Sequence, residues 1–265
     1  MIAKLTLTTK CGAHCITCPS WKQQPKEMSL DNFKLIWDKL NDDKFIKSIV
    51  INNTGDMYYH TDLDDIFDYI ENNKNKFVLL QTNGSKITRI PKVDKIVFSF
   101  NGTQQEDYEK ITGLSYGIVV QNIKAHYEEL KNIDCEIHHL SFSESGASTH
   151  FLKLWKDFPG IKRISYKYDN QGGEDKTIPA YQDSQRVFCD YLNTLSILPD
   201  GAVNMCAHDW GRSEVWGNII EMSVFELMRH EARQQKCQEH WERSFSGICE
   251  NCNYNISTKG KIFEY

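Results

Sequence analysis

From residue 3 to residue 168 the chain alternates short apolar runs with longer amphipathic stretches, and this alternation constrains its fold more than any other feature. The strand-like runs are 3–8, 48–52, 77–81, 95–100, 136–141 and 163–168. Ser29 can cap a helix that aligns Phe33, Ile36, Trp37 and Leu40 on one face. Thr61 can cap another that aligns Leu63, Ile66, Phe67 and Ile70, and 117–130 and 149–158 read as further helices. Repeated strand–helix units imply an α/β fold with parallel strands and right-handed crossovers. In such sheets, sites gather at the C-terminal ends of the strands.

Directly after the first run comes KCGAHCITCP, in which Cys11, Cys15 and Cys18 form a C-x3-C-x2-C triplet. Three thiolates are one too few for a four-iron cluster, so one iron is left open to bind and activate something else. Disulfides are disfavoured: the chain starts MIAKLTLT, with no basic region, apolar stretch or cleavage site, which points to a reducing, cytoplasmic setting. Zinc is the other alternative, but it takes four ligands, and only His14 lies nearby.

A second set follows late in the chain. Cys189 precedes the turn Pro199-Asp200-Gly201, Cys206 completes a G-x4-C pattern with Gly201, and Cys249 and Cys252 form a C-x2-C pair. Four thiolates saturate a cluster; a four-cysteine zinc site is the rival reading. Cys135, at a strand start, reads as a small buried hydrophobe, and Cys237 as a substitute ligand. In CEIHHLSF, alternation sends His138 and His139 to opposite faces. Arg163 and Lys167 share a face, with Tyr166 and Tyr168 on the other; pointing inward, the two cations would bind an anionic or hydroxylated group.

The 31 basic and 36 acidic residues are interspersed, for a net charge of -5, so no stripe exists for nucleic acid, and the longest apolar runs fall well short of a membrane span. No nucleic-acid or membrane partner is expected.

The triplet resembles the signature of the radical S-adenosylmethionine (SAM) enzymes, in which the amino and carboxylate groups of SAM chelate the open iron. INNTGDMYYHTDLDD resembles that family's G-G-E-P stretch, which places Gly55 and Asp56 near the amino group of SAM. LLQTNGS, with Thr82, Asn83 and Gly84, matches its T-N-G. IVFSFNG resembles its fourth-strand segment and places Ser99 and Asn101 near the ribose or methionyl end, while Thr103 and Glu106 read as a capping box. The second cysteine set, with Gly217-Asn218-Ile219 and a helix from Ser223, resembles the SPASM and shorter twitch extensions, which house auxiliary clusters.

The resemblance implies a partial (β/α)6 radical SAM barrel over residues 1–180 and a small twitch/SPASM-like iron-sulfur extension over 181–265. It implies two 4Fe-4S clusters and SAM as cofactors, and a one-electron donor such as a flavodoxin or ferredoxin. It also implies reductive cleavage of SAM to methionine and a 5′-deoxyadenosyl radical, which takes a hydrogen atom from the substrate. A fully ligated second cluster would then accept an electron, giving net oxidation, with Asp209 and His208 as candidate bases by position. A small polar metabolite is the first expectation for the substrate, as in the similar inosamine dehydrogenases of aminoglycoside pathways. A ribosomally made peptide is the second; the strand pattern starts within two residues of Met1, with no leader-binding segment ahead of it, which favours the small molecule. A zinc-stabilised binding protein without redox chemistry is the third.

Overall fold

Ser29 forms the expected cap: its side chain accepts the Asn32 N–H, and the helix it starts buries Phe33, Ile36, Trp37 and Leu40. The computed structural model describes residues 1–52, 54–140, 147–165, 186–209, 211–254 and 262–264. Its first half comprises β1 (Ile2–Leu5), α1 (Leu30–Asp42), β2 (Ser48–Ile51), α2 (Leu63–Asn73), β3 (Phe77–Thr82), β4 (Lys95–Ser99), α3 (Gln105–Thr112), α4 (Tyr116–Ala125), α5 (Tyr127–Leu130) and β5 (Asp134–Leu140). Then follow α6 (Ala147–Leu154), β6 (Ile161–Ser165), β7 (Thr194–Ile197), β8 (Ala202–Asn204), β9 (Val215–Asn218), α7 (Val224–Met228), α8 (Glu231–Glu242), α9 (Ile248–Asn251) and β10 (Ile262–Glu264).

Among the described residues the strands form one sheet in the order β10-β6-β5-β4-β3-β2-β1-β7-β8-β9. The parallel run from β6 to β1 is the partial (β/α)6 barrel. It does not close on itself. Strand β7 adds to β1 in parallel with Lys4 opposite Ser196, and β8 and β9 continue antiparallel. Strand β10 pairs antiparallel with β6. Alternate residues of the parallel strands, such as Ala3, Leu5, Ile49, Ile51, Ile96 and Phe98, join the apolar core under the helices. Their neighbours face the other side, where the polar chemistry gathers.

Several local expectations need correction. The Thr61 N–H and hydroxyl both donate to the Glu27 carboxylate, so Asp62, not Thr61, stands at the head of α2. The Thr103–Glu106 capping box does not form: α3 starts later, behind Gln104, which makes no side-chain cap. Residues 117–130 are not one helix, because α4 ends at Ala125 and His126 caps it before α5 begins at Tyr127. Tyr166, Lys167 and Tyr168, Ser141 and the expected boundary near residue 180 lie outside the described residues.

The C-terminal region is tied back to α1. Lys39 Nζ donates to the carbonyls of Ile219 (2.8 Å) and Ile220 (2.6 Å), and Phe45 stacks on Phe225. Among the described residues no helix is long and apolar enough to cross a membrane.

Candidate functional site

Cys11, Cys15 and Cys18 occupy the loop that leaves the C-terminal end of β1, and all three line one cavity of about 200 Å³. The loop is fixed through its backbone: the His14 N–H donates to Thr112 O (2.8 Å) and the Ile16 N–H to Ile111 O (2.9 Å), which seats it on the end of α3. Two donors point at the Cys11 sulfur, the Ala13 N–H (3.4 Å) and Asn83 Nδ2 (3.3 Å). Burial, with neighbouring thiols adding to it, pushes Cys11 up to about 11 and Cys15 up to about 12. Such thiols ionise readily only when a cation such as a metal takes the charge.

The rest of this cavity comes from the ends of β2, β3 and β4. Gly55 and Asp56, Thr82 and Asn83, and Ser99 all line it. Gly55 has φ +74°, and a Cβ there would collide with the Thr8 carbonyl. Gly55→Ala is expected to destabilise the metal-free chain by about 2–4 kcal/mol, from left-handed strain plus overpacking, read as a fall in its unfolding midpoint. Asp56 is buried, with Oδ1 accepting the Tyr58 N–H (3.1 Å) and Oδ2 accepting the Thr82 hydroxyl (2.8 Å) and the Asn83 N–H (2.9 Å). Burial still wins over these donors and raises the carboxyl to about 6, so a cation placed beside it would recover an unusually large electrostatic gain.

Asn101 is not brought into this group: its Oδ1 accepts the Leu140 N–H (3.2 Å), bracing the start of the β4–α3 connection against β5. Other lining residues were not singled out for function from sequence, among them Asn52, Gln81 and Trp21. Asn52 holds φ +82° while its amide donates to the Gly55 carbonyl (2.7 Å), and a short polar residue tolerant of that conformation at a strand end was the available clue. Trp21 donates to Cys15 O (3.1 Å) and meets the His14 ring edge-on, so an aromatic surface borders the cavity from beyond the triplet.

The second set converges as well. Cys189 leads through a short 3-10 turn into β7, Cys206 follows β8, Cys249 lies in the first turn of α9 and Cys252 caps its C-terminal end. All four line one cavity with Tyr191, His208, His240 and Tyr254. Arg186 clamps α9 by donating to Cys249 O and Glu250 O, both at 2.6 Å. Burial, with the surrounding thiols adding, raises Cys206 well above the usual thiol range and Cys249 to about 12. Cys237 is on α8 and does not line this cavity. Cys135 is buried against Leu130 O, as a small hydrophobe would be. Among the described residues no three Cys, His, Asp or Glu side chains are grouped to share a single metal ion.

The two candidate bases differ in setting. Asp209 is buried, with Oδ1 accepting from the Ser213 N–H and hydroxyl (both 2.8 Å) and Oδ2 from the Glu214 N–H (2.9 Å), so its carboxylate anchors the loop between β8 and β9. His208 lies on the cavity wall against the rings of Tyr191 (5.4 Å) and Tyr254 (5.5 Å).

On the sheet face away from the helices, Arg163 grips both oxygens of buried Glu136, and Lys95 adds a third contact at 3.3 Å. Burial alone would raise Glu136, but these cations hold it below the ordinary carboxylate range. Arg163 is therefore committed to a partner rather than open to an anion. His139 points to the helices, stacking on Phe151 and accepting the Gly102 N–H, and burial lowers it to about 4. His138 takes the opposite face, in register with Ser99.

Comparison with known proteins adds three findings. Residues 189–253 match the SPASM family model, an iron-sulfur cluster-binding domain. No curated protein matches the sequence. Among solved structures, the chain is similar to BtrN in complex with AdoMet and 2-DOIA (TM-score 0.62, 17% identity, 97% of this chain and 94% of that one). It is also similar to Streptococcus suis SuiB bound to precursor peptide SuiA (0.69, 13%, 95% and 69%) and to anSMEcpe with bound AdoMet and Cp18Cys peptide (0.59, 14%, 98% and 92%). At these identities the likeness is one of fold.

Proposed function

We propose that this chain, which has the fold of the radical SAM enzymes with a SPASM-type iron-sulfur region, binds SAM at a three-thiolate 4Fe-4S cluster and oxidises a small polar substrate with the help of a second cluster. The observation that carries the reading is the shared cavity in which Cys11, Cys15 and Cys18 meet Gly55, Asp56, Thr82, Asn83 and Ser99 at the strand ends. With SAM bound, the reduced first cluster supplies a 5′-deoxyadenosyl radical able to take a hydrogen atom from an unactivated carbon, and the second supplies an electron acceptor.

The chain's own residues then have distinct jobs. Cys11, Cys15 and Cys18 hold the first cluster and leave one corner open; Asn83 directs an N–H at the Cys11 sulfur. Gly55 lets the backbone approach the amino group of SAM, and the buried Asp56 carboxylate accepts from it. Thr82 fixes Asp56 through its hydroxyl, Ser99 offers a hydroxyl at the end of β4, and Asn101 positions that end through β5. Cys189, Cys206, Cys249 and Cys252 saturate the second cluster. His208 takes the proton that leaves the substrate, while Asp209 holds the loop that presents Cys206 and His208. Residues 1–180 form the barrel and 181–265 the extension. The reaction calls for a one-electron donor such as a flavodoxin or ferredoxin and for a reducing, cytoplasmic setting.

Support for the small substrate is the polar wall formed by Ser99, His138 and the Glu136–Arg163 pair, together with the small molecule 2-DOIA in the BtrN structure. A peptide substrate is the second reading, supported by the SuiA and Cp18Cys peptides bound to SuiB and anSMEcpe. Anaerobic purification is expected to yield about eight irons and matching sulfide per chain. With dithionite and SAM the protein should release 5′-deoxyadenosine. Zinc in place of iron, or SAM left whole by fully loaded protein, would overturn the proposal, and a short peptide that co-purifies and is modified would select the second substrate class.

A further inference from the structure

Lys4 is the fourth residue of the chain, on β1, and its side chain projects from the face opposite Ala3 and Leu5, which are fully buried beneath the helices. Its ammonium lies 3.3 Å from the Tyr191 hydroxyl and 4.4 Å from the centre of the Tyr191 ring. Tyr191 is itself a wall of the second cysteine cavity, packed on Tyr254 at 4.8 Å. Lys4 thus reaches from the barrel to the edge of that cavity. Among the described residues no carboxylate stands within ion-pair distance of it.

The absence of a carboxylate is informative because, among the described residues, Lys236, Arg186 and Arg233 near this cavity are each engaged. Lys236 is matched by Glu214 (3.0 Å) and Glu239 (2.9 Å). Arg186 donates to the carbonyls of Cys249 and Glu250, and Arg233 to those of Met228 and Leu192. Burial lowers the Lys4 ammonium, and negative charge on Cys206 and Cys189 opposes that shift. These two sulfurs are near enough for their charge, once ionised, to act on the Lys4 ammonium. A cubane held by four thiolates is an anion in its oxidised state and a stronger one when reduced, so a fixed cation beside it favours reduction.

We propose that Lys4 is the counter-charge of the second cluster: held against Tyr191, its ammonium stabilises the reduced cluster and so favours transfer of the electron from the oxidised substrate radical. This rests on the reading that Cys189, Cys206, Cys249 and Cys252 hold a 4Fe-4S cluster. Lys4 acts as a positioning charge and touches no reacting atom.

The test is a redox titration of the anaerobic holoenzyme, followed by electron paramagnetic resonance, on the wild type, Lys4→Met and Lys4→Arg. Lys4→Met is expected to weaken electron acceptance by the second cluster about tenfold, a shift of about 59 mV to more negative potential for a one-electron couple, with the first cluster unmoved. Lys4→Arg should keep the wild-type potential. Lys4→Gln serves as a second neutral variant should Lys4→Met lose iron. A neutral variant with full iron and an unshifted second midpoint would overturn the proposal, as would an arginine variant that falls as far as the neutral ones. Failure of the wild type to bind iron at this site would instead overturn the underlying cluster assignment.

Discussion

Replacing any one of Cys11, Cys15 and Cys18 by alanine is expected to abolish SAM cleavage and to lower iron from about eight to about four per chain, with the second set still loaded. The size of this effect follows from the ligand count. Removing one of three thiolates leaves two irons without protein ligands, and none of the other six cysteines lines the cavity that holds the triplet. The loop itself should survive, because the His14 and Ile16 amides that anchor it to α3 are backbone groups. Each variant is therefore expected to unfold near the wild-type midpoint in the metal-free state. Release of 5′-deoxyadenosine at the wild-type rate by any of the three would refute the assignment of that cysteine.

Some of this site was legible in the sequence because its information is local. A serine before an amphipathic run reads as a cap, and Ser29 is one. Cysteines spaced within a few residues must be neighbours, so the triplet and the Cys249–Cys252 pair were already grouped by the chain itself. Cys189 and Cys206 are farther apart, and they meet because β7 and β8 pair antiparallel across the Pro199-Asp200-Gly201 turn. The missed features depend on register between distant segments. Strand β7 is only four residues long, and its place beside β1 is decided by edge pairing, which no periodicity encodes. Lys4 reads as an ordinary polar residue of an alternating strand until that pairing carries Tyr191 over it. Arg163 read as an anion site from its face alone, yet Glu136, on the adjacent strand, takes both arms of its guanidinium. Thr61 lost its expected cap in the same way, to Glu27.

Replacing Cys189 or Cys206 by alanine should separate the two halves of the reaction. SAM cleavage is expected to remain detectable, while oxidised product falls about a hundredfold or more, a barrier increase of about 2.7 kcal/mol or more. The separation follows from the architecture. The triplet and the residues around it sit at the ends of β1 to β4, and none of the second four cysteines lines that cavity. Product formation, in contrast, needs an electron acceptor, and a cubane deprived of Cys206 loses one of the four thiolates that line its cavity. Cys237→Ala provides the control. It lies on α8 outside this cavity, next to Arg233, so its loss should leave both cleavage and product formation intact. If Cys237→Ala stripped the second cluster while Cys249→Ala or Cys252→Ala did not, the fourth ligand would be Cys237. If Cys206→Ala turned over fully, the second cluster would have no part in oxidation, and the substrate electron would have to leave by another route.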